Sequence, residues 1–298
     1  MQKLSDIATI RTVLEKNGFR FSKALGQNFL INPSVCPRMA EMSGAADCAG
    51  AVEIGPGIGV LTWELSQVAR KVVSIELDQR LLPVLAETLA DCDNVKIIRA
   101  DVMQLDLGRM IAEEFGGKEV AVCANLPYYI TSPVIMRLLE ERLPVTSITV
   151  MVQKEAADRL CAHPGERACG AVSAAVWYYA EPEILFGVSR GSFMPAPNVD
   201  SAVIRLKIRK TPAVSVTEER FFFRVVKAAF AQRRKTAVNA MANTLGIPKP
   251  AVAAAFEAAG ISLNARAETL TLEEFAALSD GLGALEKTAQ ERKKEEIV

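Results

Sequence analysis

The 298-residue chain contains one histidine, His163, in the segment CAHPGER. A single histidine beside a proline is more typical of a turn than of a catalyst, so its scarcity disfavours Ser–His nucleophiles and histidine-rich metal sites. The six cysteines are never spaced C-x-x-C. This pattern is typical of neither a zinc site nor a disulfide framework. We therefore expect reduced, buried thiols, no metal, and a cytoplasmic protein.

The sequence also lacks an excess of charge and a long apolar run. It has 35 Lys and Arg against 35 Asp and Glu, so nucleic-acid binding would have to depend on a local basic patch. No apolar run is long enough to span a bilayer, and the first residues lack the apolar core of a signal peptide. We expect no membrane partner, and a monomer by default.

Short apolar segments alternate with helical ones in the first half of the chain. The predicted strands are GAVEIG (50–55), KVVSIELD (71–78), NVKIIRAD (94–101), EVAVCAN (119–125) and VTSITVMVQ (145–153). Continuous apolar strands separated by helices predict a parallel sheet covered on both faces. Two later strands, EILFGV and SAVIRLKIR, are joined by a segment too short for a crossover helix, which predicts an antiparallel pair.

Helix signals complete the pattern. In TSPVIMRLLEE, a Thr-Ser pair precedes Pro133, which predicts a helix that begins at Pro133. The strand signal stops after RKTPAVSVTEE (209–219), and from Arg220 onward the pattern is helical, so a boundary is predicted near residue 210. We therefore predict a first domain over residues 1–210, including a helix at 5–18, and a helical domain over 211–285. A charged tail over 286–298 is predicted to be a frayed helix or disordered.

A glycine loop follows the first of these five strands. VEIGPGIGVLT places Gly55, Gly57 and Gly59 between a strand and a helix, where glycines permit tight turns and close approach of a ligand. The dinucleotide fingerprint would require a glycine where Val60 stands, and Glu53 would repel a diphosphate. The loop instead suits a cofactor with a positive end, such as S-adenosylmethionine.

Three acids lie at the carboxyl ends of three successive predicted strands. Glu53 precedes the glycine loop, Glu76 ends the second strand and Asp101 ends the third. Ligands bind at this edge of open parallel sheets. Glu76 is placed to bind ribose hydroxyls, and Asp101 to accept a hydrogen bond from an adenine amine.

The fourth strand ends at the same edge in Asn125-Leu126-Pro127-Tyr128. The Asn125 amide oxygen and the Leu126 carbonyl can accept hydrogen bonds from an exocyclic amine, which would free the nitrogen lone pair. Tyr128 offers a flat face for an unstacked base. A proline turn with packed tyrosines is the alternative interpretation, and Tyr129 has no clear role.

Six blocks occur in one order: KALGQNFL (23–30), VEIGPGIGVLT, NLPYYI, MVQKEAADRL (151–160), FMPAPNVDSAV (193–203) and FAQRRKT (230–236). Over residues 10 to 280 the chain resembles the small-subunit ribosomal RNA adenine N6,N6-dimethyltransferases. The resemblance implies a Rossmann-like class I methyltransferase fold, in which a mostly parallel seven-stranded sheet has an antiparallel last strand, plus a small all-α domain. It also implies S-adenosylmethionine-dependent dimethylation of two adjacent adenosines near the 3′ end of 16S rRNA, with a role in small-subunit maturation.

By motif match, the resemblance implies roles for individual residues. Tyr128 and Phe193 would stack on the target base, and Phe193 is predicted to lie in a loop, GSFMPAPN. The catalytic set is Asn125, Leu126, Tyr128 and Phe193. The cofactor-binding set is Gln27, Asn28, Leu30, Glu53, Gly55, Gly57, Glu76, Leu77, Asp101, Val102 and Asn125.

A basic patch near the carboxyl end is the predicted RNA contact. Arg220, Arg224, Lys227 and Arg234 have spacings that would place them near one side of a helix. The set is widened by Arg233, Lys235 and, near the amino end, Lys23. Such a stripe is often only a solvated helix face, but the match of QRRK to the family favours phosphate contact and an RNA-binding role for the helical domain.

Three alternatives remain open. A large-subunit rRNA adenine methylase of the resistance type usually reads NIPY. A DNA adenine methylase tends to carry proline where this chain has Leu126. A third alternative is a non-catalytic ribosome assembly factor or transcription factor, which the intact Asn125 and Glu76 disfavour.

Overall fold

The computed structural model of the chain describes residues 4, 6–19 and 28–295. The chain divides into two compact units. The first contains the described residues up to Ala157 together with Glu181–Ile208, and the second contains Asp158–Ala180 and the described residues from Arg209 onward.

A seven-stranded sheet forms the centre of the first unit. Its strands are β2 (Ala51–Ile54), β3 (Val72–Glu76), β4 (Val95–Arg99), β5 (Val120–Asn125), β6 (Val145–Gln153), β7 (Ala180–Val188) and β9 (Ser201–Ile208). They lie in the order β4-β3-β2-β5-β6-β9-β7. Strands β2 to β6 pair in parallel, and β9 is antiparallel to β6. The sheet therefore agrees with the predicted mostly parallel, seven-stranded architecture.

Helices accompany these strands. They are α1 (Ile7–Lys16), α2 (Val35–Met42), α3 (Val60–Val68), α4 (Leu82–Thr88), α5 (Leu107–Phe115) and α6 (Tyr128–Glu140), with α7 (Lys154–Cys161) following β6. Every residue of β2 and β3 is buried, as expected for continuous apolar strands covered on both faces. The chain runs from β2 outward to β3 and β4, then returns to β5 on the other side of β2. This reversal opens a crevice at the carboxyl ends of β2 and β5, where open α/β sheets bind ligands.

The predicted start of α6 is wrong. The helix begins at Tyr128 directly after Pro127, and Pro133 lies inside it. Pro127, two residues after the end of β5, has an extended conformation (ψ 134°) and occupies the N-cap position of the helix. Thr131 does not act as a cap, because its hydroxyl donates back to the Pro127 carbonyl one turn earlier. The two tyrosines therefore occupy the first turn of a helix.

The second unit is helical. It contains α8 (Ala171–Tyr179), α9 (Glu219–Phe230), α10 (Ala237–Leu245), α11 (Lys249–Ala258) and α12 (Leu272–Glu295). The ring of Tyr178 on α8 lies 5.1 Å from that of Phe222 on α9, and the Tyr179 hydroxyl donates to Glu219 at 2.8 Å. These contacts place residues 158–180 in the second unit, whereas the predicted division at residue 210 placed them in the first.

One further expectation about this unit differs from the structure. α9 ends at Phe230, so Arg233, Arg234 and Lys235 lie in the turn before α10 and Arg234 does not share a helix face with Arg220. The backbone of α12 continues to Glu295, into the tail for which a frayed helix or disorder was predicted.

All six cysteines are free thiols, four of them buried. Among the described residues, no group of three or more His, Cys, Asp or Glu side chains is arranged to hold a metal ion. None of the described helices is both long and apolar enough to cross a membrane.

Candidate active site

A pocket of about 340 Å³ opens at the carboxyl ends of β2, β3, β4 and β5. A separate two-stranded ribbon, β1 (Phe29–Leu30) paired with β8 (Phe193–Met194), contributes residues to its wall. The pocket is lined by every predicted catalytic and cofactor-binding residue that the structure describes: Asn28, Leu30, Glu53, Gly55, Gly57, Glu76, Leu77, Asp101, Val102, Asn125, Leu126, Tyr128 and Phe193. Gln27 and Lys23 lie outside the described residues.

The glycine loop forms the floor of the pocket. Gly55 and Gly57 have φ values of 71° and 60°, in the left-handed region that only glycine adopts at little cost. A Cβ atom on Gly57 would lie 3.3 Å from the Phe29 ring, so a larger residue would crowd the loop. The loop leads into the nine-residue α3, whose amino end carries a partial positive charge.

Glu53 is a carboxyl group buried at the bottom of the pocket. It is 1% exposed, and its Oε2 accepts a hydrogen bond from Ser74 Oγ at 2.7 Å. Burial raises the pKa of Glu53 from 4.5 to about 7. Its charge is therefore only partly developed near neutral pH, and a cationic ligand would favour the ionised form.

This raised pKa predicts how stability depends on pH. Because the folded state holds the proton more tightly than the unfolded chain does, the contribution of Glu53 to the free energy of unfolding is complete below pH 4.5. It is lost as the pH rises towards 7, by about 3 kcal/mol at most. Denaturant unfolding of wild type and Glu53→Gln at several pH values measures the difference, and parallel pH profiles would contradict the assignment.

Glu76 and Asp101 lie at the ends of neighbouring strands. Glu76 is 6% exposed, and its two oxygens accept from the backbone amides of Asp78 at 2.7 Å and Gly57 at 3.3 Å. Burial raises the pKa of Glu76. Asp101 Oδ1 accepts from the Met103 amide at 2.9 Å. A carboxylate offers about four acceptor positions, so both acids can still accept from a ligand.

Asn125 is the last residue of β5 and is half-buried at the pocket wall. Within the described part of the chain, its side-chain amide has no hydrogen-bond partner. A polar group in a pocket stabilises the fold little unless it is paired. The Asn125 amide, in the same pocket as three carboxylates, is therefore available to bind a ligand. Leu126 follows it, and its side chain would lie 3.7 Å from a Cβ on Gly55.

Tyr128 is fixed in the first turn of α6. Its hydroxyl is 2.7 Å from Ser201 Oγ, at the start of β9. Its ring is half-buried and lines the pocket, which holds one flat face at a defined position beside Asn125.

The sequence predicted that Phe193 lies in a loop, and this prediction is wrong. It lies on β8 opposite Leu30, is 4% exposed, and packs in the core with Leu30 and Val188. Phe193 also lines the pocket, but most of its surface is covered by the protein. The structure thus gives it the environment of a core aromatic, and its role as a stacking ring stays a prediction.

Three pocket-lining hydrophobic side chains are unusually exposed. Leu77, Met103 and Tyr129 have exposed fractions of 56%, 40% and 62%. Sequence reasoning selected only Leu77, although Met103 and Tyr129 directly follow the selected Val102 and Tyr128. Exposed apolar groups gathered at one concave site indicate a ligand that covers them.

The lining fits an adenosyl cofactor. Glu76 offers acceptors for hydroxyl groups, Asp101 offers an acceptor for an amine, and Glu53 offers a partner for a cation. Leu77, Val102 and the other apolar side chains form walls for a flat ring. A diphosphate would meet these carboxylates and be repelled.

The sequence matches the ribosomal RNA adenine dimethylase family over residues 18–282. The chain belongs to this family. It is 51% identical to a ribosomal RNA small subunit methyltransferase A of Geobacillus sp. (strain WCH70), over 93% of this chain and 98% of the relative. It is 50% identical to one of Bacillus mycoides (strain KBAB4), over 94% and 98%.

Solved structures give the same result for the fold. The 23S rRNA methyltransferase ErmE superposes with a TM-score of 0.67 at 27% identity, over 86% of this chain and 99% of that one. A dimethyladenosine transferase from Plasmodium falciparum superposes with a TM-score of 0.69 at 24% identity, over 84% and 95%. The predicted Rossmann-like methyltransferase fold is confirmed. The protein is an rRNA adenine dimethyltransferase, and its cofactor is S-adenosylmethionine.

Proposed function

We propose that the protein dimethylates the N6 amines of two adjacent adenosines near the 3′ end of 16S rRNA and thereby contributes to small-subunit maturation. The observation that carries the chemistry is the unpartnered Asn125 amide, which lines one pocket with Glu53, Glu76 and Asp101. The small-subunit relatives, at 50–51% identity over nearly their full length, carry the choice of RNA.

The target amine needs hydrogen-bond acceptors, because its lone pair is delocalised into the adenine ring. The Asn125 side-chain oxygen and the Leu126 carbonyl accept from the two amine hydrogens and favour a pyramidal nitrogen. S-adenosylmethionine, when bound, supplies an electrophilic methyl group. Transfer of this methyl from sulfur to the amine nitrogen would leave the nitrogen positively charged. The methylated amine would then lose its proton to water, so no strong general base is needed.

Positioning would account for most of the rate. Effective molarities from orientation reach the equivalent of about 7–11 kcal/mol. Tyr128 is suited to this task because Ser201 fixes its hydroxyl, so the ring face is oriented before a base arrives. Phe193 would contact the opposite side of that base.

On the cofactor side, each carboxylate has a separate role. Glu76 would accept from the ribose hydroxyls, Asp101 would accept from the adenine amine, and Glu53 would face the ammonium end. Gly55 and Gly57 would lie along the methionine portion. Asn28, Leu30, Leu77 and Val102 enclose the ligand, together with Gln27.

A large-subunit target is the nearest alternative. The fold does not exclude it, since ErmE superposes well, but its identity to this chain is only 27% against 51% for the small-subunit relative. Methyl transfer from labelled S-adenosylmethionine to small subunits that lack the modification tests the proposal. We expect N6,N6-dimethyladenosine in the digested RNA. Product on bare large-subunit RNA alone would contradict it.

The second unit provides the proposed RNA contact. Arg220, Arg224 and Lys227 lie on α9 at spacings of four and three, and all are exposed, while Phe222 and Val226 are buried. Arg233, Arg234 and Lys235 are exposed in the following turn. The RNA-binding patch thus consists of a helix face and a turn, to which Lys23 would add.

Replacing Arg220, Arg224 and Lys227 together by alanine should weaken RNA binding and reduce its salt dependence. Each lost phosphate contact lowers the slope of log K against log[salt] by about 0.7–0.9, so we expect a change of roughly two to three. Fluorescence anisotropy at several salt concentrations measures this slope. A double variant of Lys249 and Arg266, exposed cations elsewhere in this unit, should retain the wild-type slope. An equal loss in both variants would contradict a specific patch.

We also propose that the protein acts as a monomer without a metal ion. A cytoplasmic location would follow from a ribosomal RNA substrate.

A further inference from the structure

Arg137 on α6 binds the segment that follows β4. Its Nη1 donates to the Val102 carbonyl and its Nη2 donates to the Leu105 carbonyl at 2.8 Å. Its Nε donates to Glu141, the residue directly after this helix, at 2.5 Å. The side chain is only 18% exposed. All three nitrogens of the guanidinium are therefore engaged, and the rigid fork fixes two carbonyls relative to α6.

The same segment forms a turn whose backbone amides donate hydrogen bonds to Asp101. The amides of Gln104 and Leu105 both donate to the Asp101 carbonyl at 2.9 Å, and the Met103 amide donates to Asp101 Oδ1. These backbone amides of the turn donate to Asp101, whereas the Val102 and Leu105 carbonyls accept from Arg137. The Asp101 carboxylate thus keeps its direction through a turn that Arg137 anchors.

The helix that carries Arg137 also carries the proposed target site. Ile130 and Arg137 are seven residues apart and share a helix face, and Ile130 lines the pocket. Tyr128 begins the same helix. One side chain therefore connects the Asp101 end of the pocket to the element that presents the target ring.

We propose that Arg137 is a positioning residue that sets the direction of the Asp101 carboxylate and so determines the preference for an adenine over a 6-oxopurine in the cofactor. The inference rests on the proposed role of Asp101. A carboxylate aimed at the ring position 6 accepts from an amine there, but it repels the oxygen of a 6-oxopurine. Without Arg137 the Asp101 carboxylate can rotate and become partly hydrated. Adenine and the 6-oxopurine then meet a similar group, and the preference between them falls.

The test compares the dissociation constants of S-adenosylhomocysteine and S-inosylhomocysteine by calorimetry. Wild type should prefer the adenine ligand by about ten- to a hundredfold, the range for one hydrogen bond to a charged acceptor. Arg137→Lys keeps the charge but cannot donate to two carbonyls in a planar fork, and its preference should fall to about threefold. Glu141→Gln removes the ion pair but leaves both carbonyl bonds, so it should keep the wild-type preference.

The ratio of the two constants does not depend on the folded fraction, because both ligands meet the same protein. A partly unfolded variant therefore still tests the proposal, and Arg137→Gln provides a second one. If the ratio of the two constants is unchanged in the Arg137 variants, whether or not both ligands bind more weakly, Arg137 has at most a structural role and the inference is overturned. A wild type without preference would instead contradict the role of Asp101 in the proposed function.

Discussion

Replacing Asn125 by alanine should lower the rate of methyl transfer by about a hundred- to a thousandfold, the usual cost of removing one preorganised hydrogen-bonding group from a reacting centre. The truncation removes one of the two acceptors for the target amine and leaves the nitrogen lone pair delocalised. Single-turnover transfer from labelled S-adenosylmethionine to unmodified small subunits measures this effect. The loss should appear in the rate at saturating RNA, because the amide acts on the amine and not on the rest of the RNA.

The fold should survive this change. Asn125 is half-buried, and no other described residue depends on its amide for a hydrogen bond, so the variant should melt within a few degrees of wild type. Asn264→Ala removes the same group from an exposed position and should methylate normally. An Asn125→Ala protein with the wild-type rate would contradict the proposed chemistry. One that binds small subunits but does not methylate them would separate catalysis from any assembly role.

The positions of the pocket residues could be predicted because they follow from sheet geometry. In a parallel sheet the carboxyl ends of the strands lie at one edge. Once GAVEIG, KVVSIELD, NVKIIRAD and EVAVCAN are recognised as strands, Glu53, Glu76, Asp101 and Asn125 must therefore come together. Their continuous apolar character made the strands easy to recognise. The burial of β2, β3 and most of β5 is what that character demands, whereas β4, at the edge of the sheet, is only partly buried.

The helix boundaries around the tyrosines and the basic patch could not be predicted, because local signals conflict there. Thr-Ser-Pro resembles a helix start, but the extended Pro127 is the N-cap residue, and the helix begins five residues before Pro133. In FAQRRKT, a run of good helix formers conceals the end of α9 at Phe230. Intrinsic propensity is a weak prior, and tertiary contacts determine the boundary.

The environments of Phe193 and of residues 158–180 depend on contacts between distant segments. Phe193 is buried because β8 pairs with β1, across more than 160 residues of chain. Residues 158–180 join the second unit because the aromatic rings of Tyr178 and Tyr179 pack on α9. No local periodicity reports either pairing. Arg137 belongs to the same class, since a single arginine on a helix gives no signal of the two carbonyls that it binds.

Replacing Glu76 by alanine should raise the dissociation constant of S-adenosylhomocysteine by about a hundred- to a thousandfold. A hydrogen bond to a charged acceptor contributes about 1.5–3 kcal/mol, and the two ribose hydroxyls would share this carboxylate. The Gly57 amide donates a hydrogen bond to Glu76 at 3.3 Å. Alanine removes this acceptor, so the glycine loop also loses one of its hydrogen bonds. Glu76→Gln keeps one acceptor oxygen of the same size and should cost only about tenfold.

The cause of this loss can be separated from damage to the loop by changing the ligand as well as the protein. The 2′-deoxy form of S-adenosylhomocysteine lacks one hydroxyl, so wild type should bind it roughly tenfold or more weakly than the parent ligand. If Glu76 binds that hydroxyl, the alanine variant should bind the two ligands almost equally, because the partner of the hydroxyl is already absent. If the variant still discriminates as wild type does, the two losses are additive and Glu76 does not bind the 2′-hydroxyl. That outcome would contradict the shared binding of both ribose hydroxyls by this carboxylate.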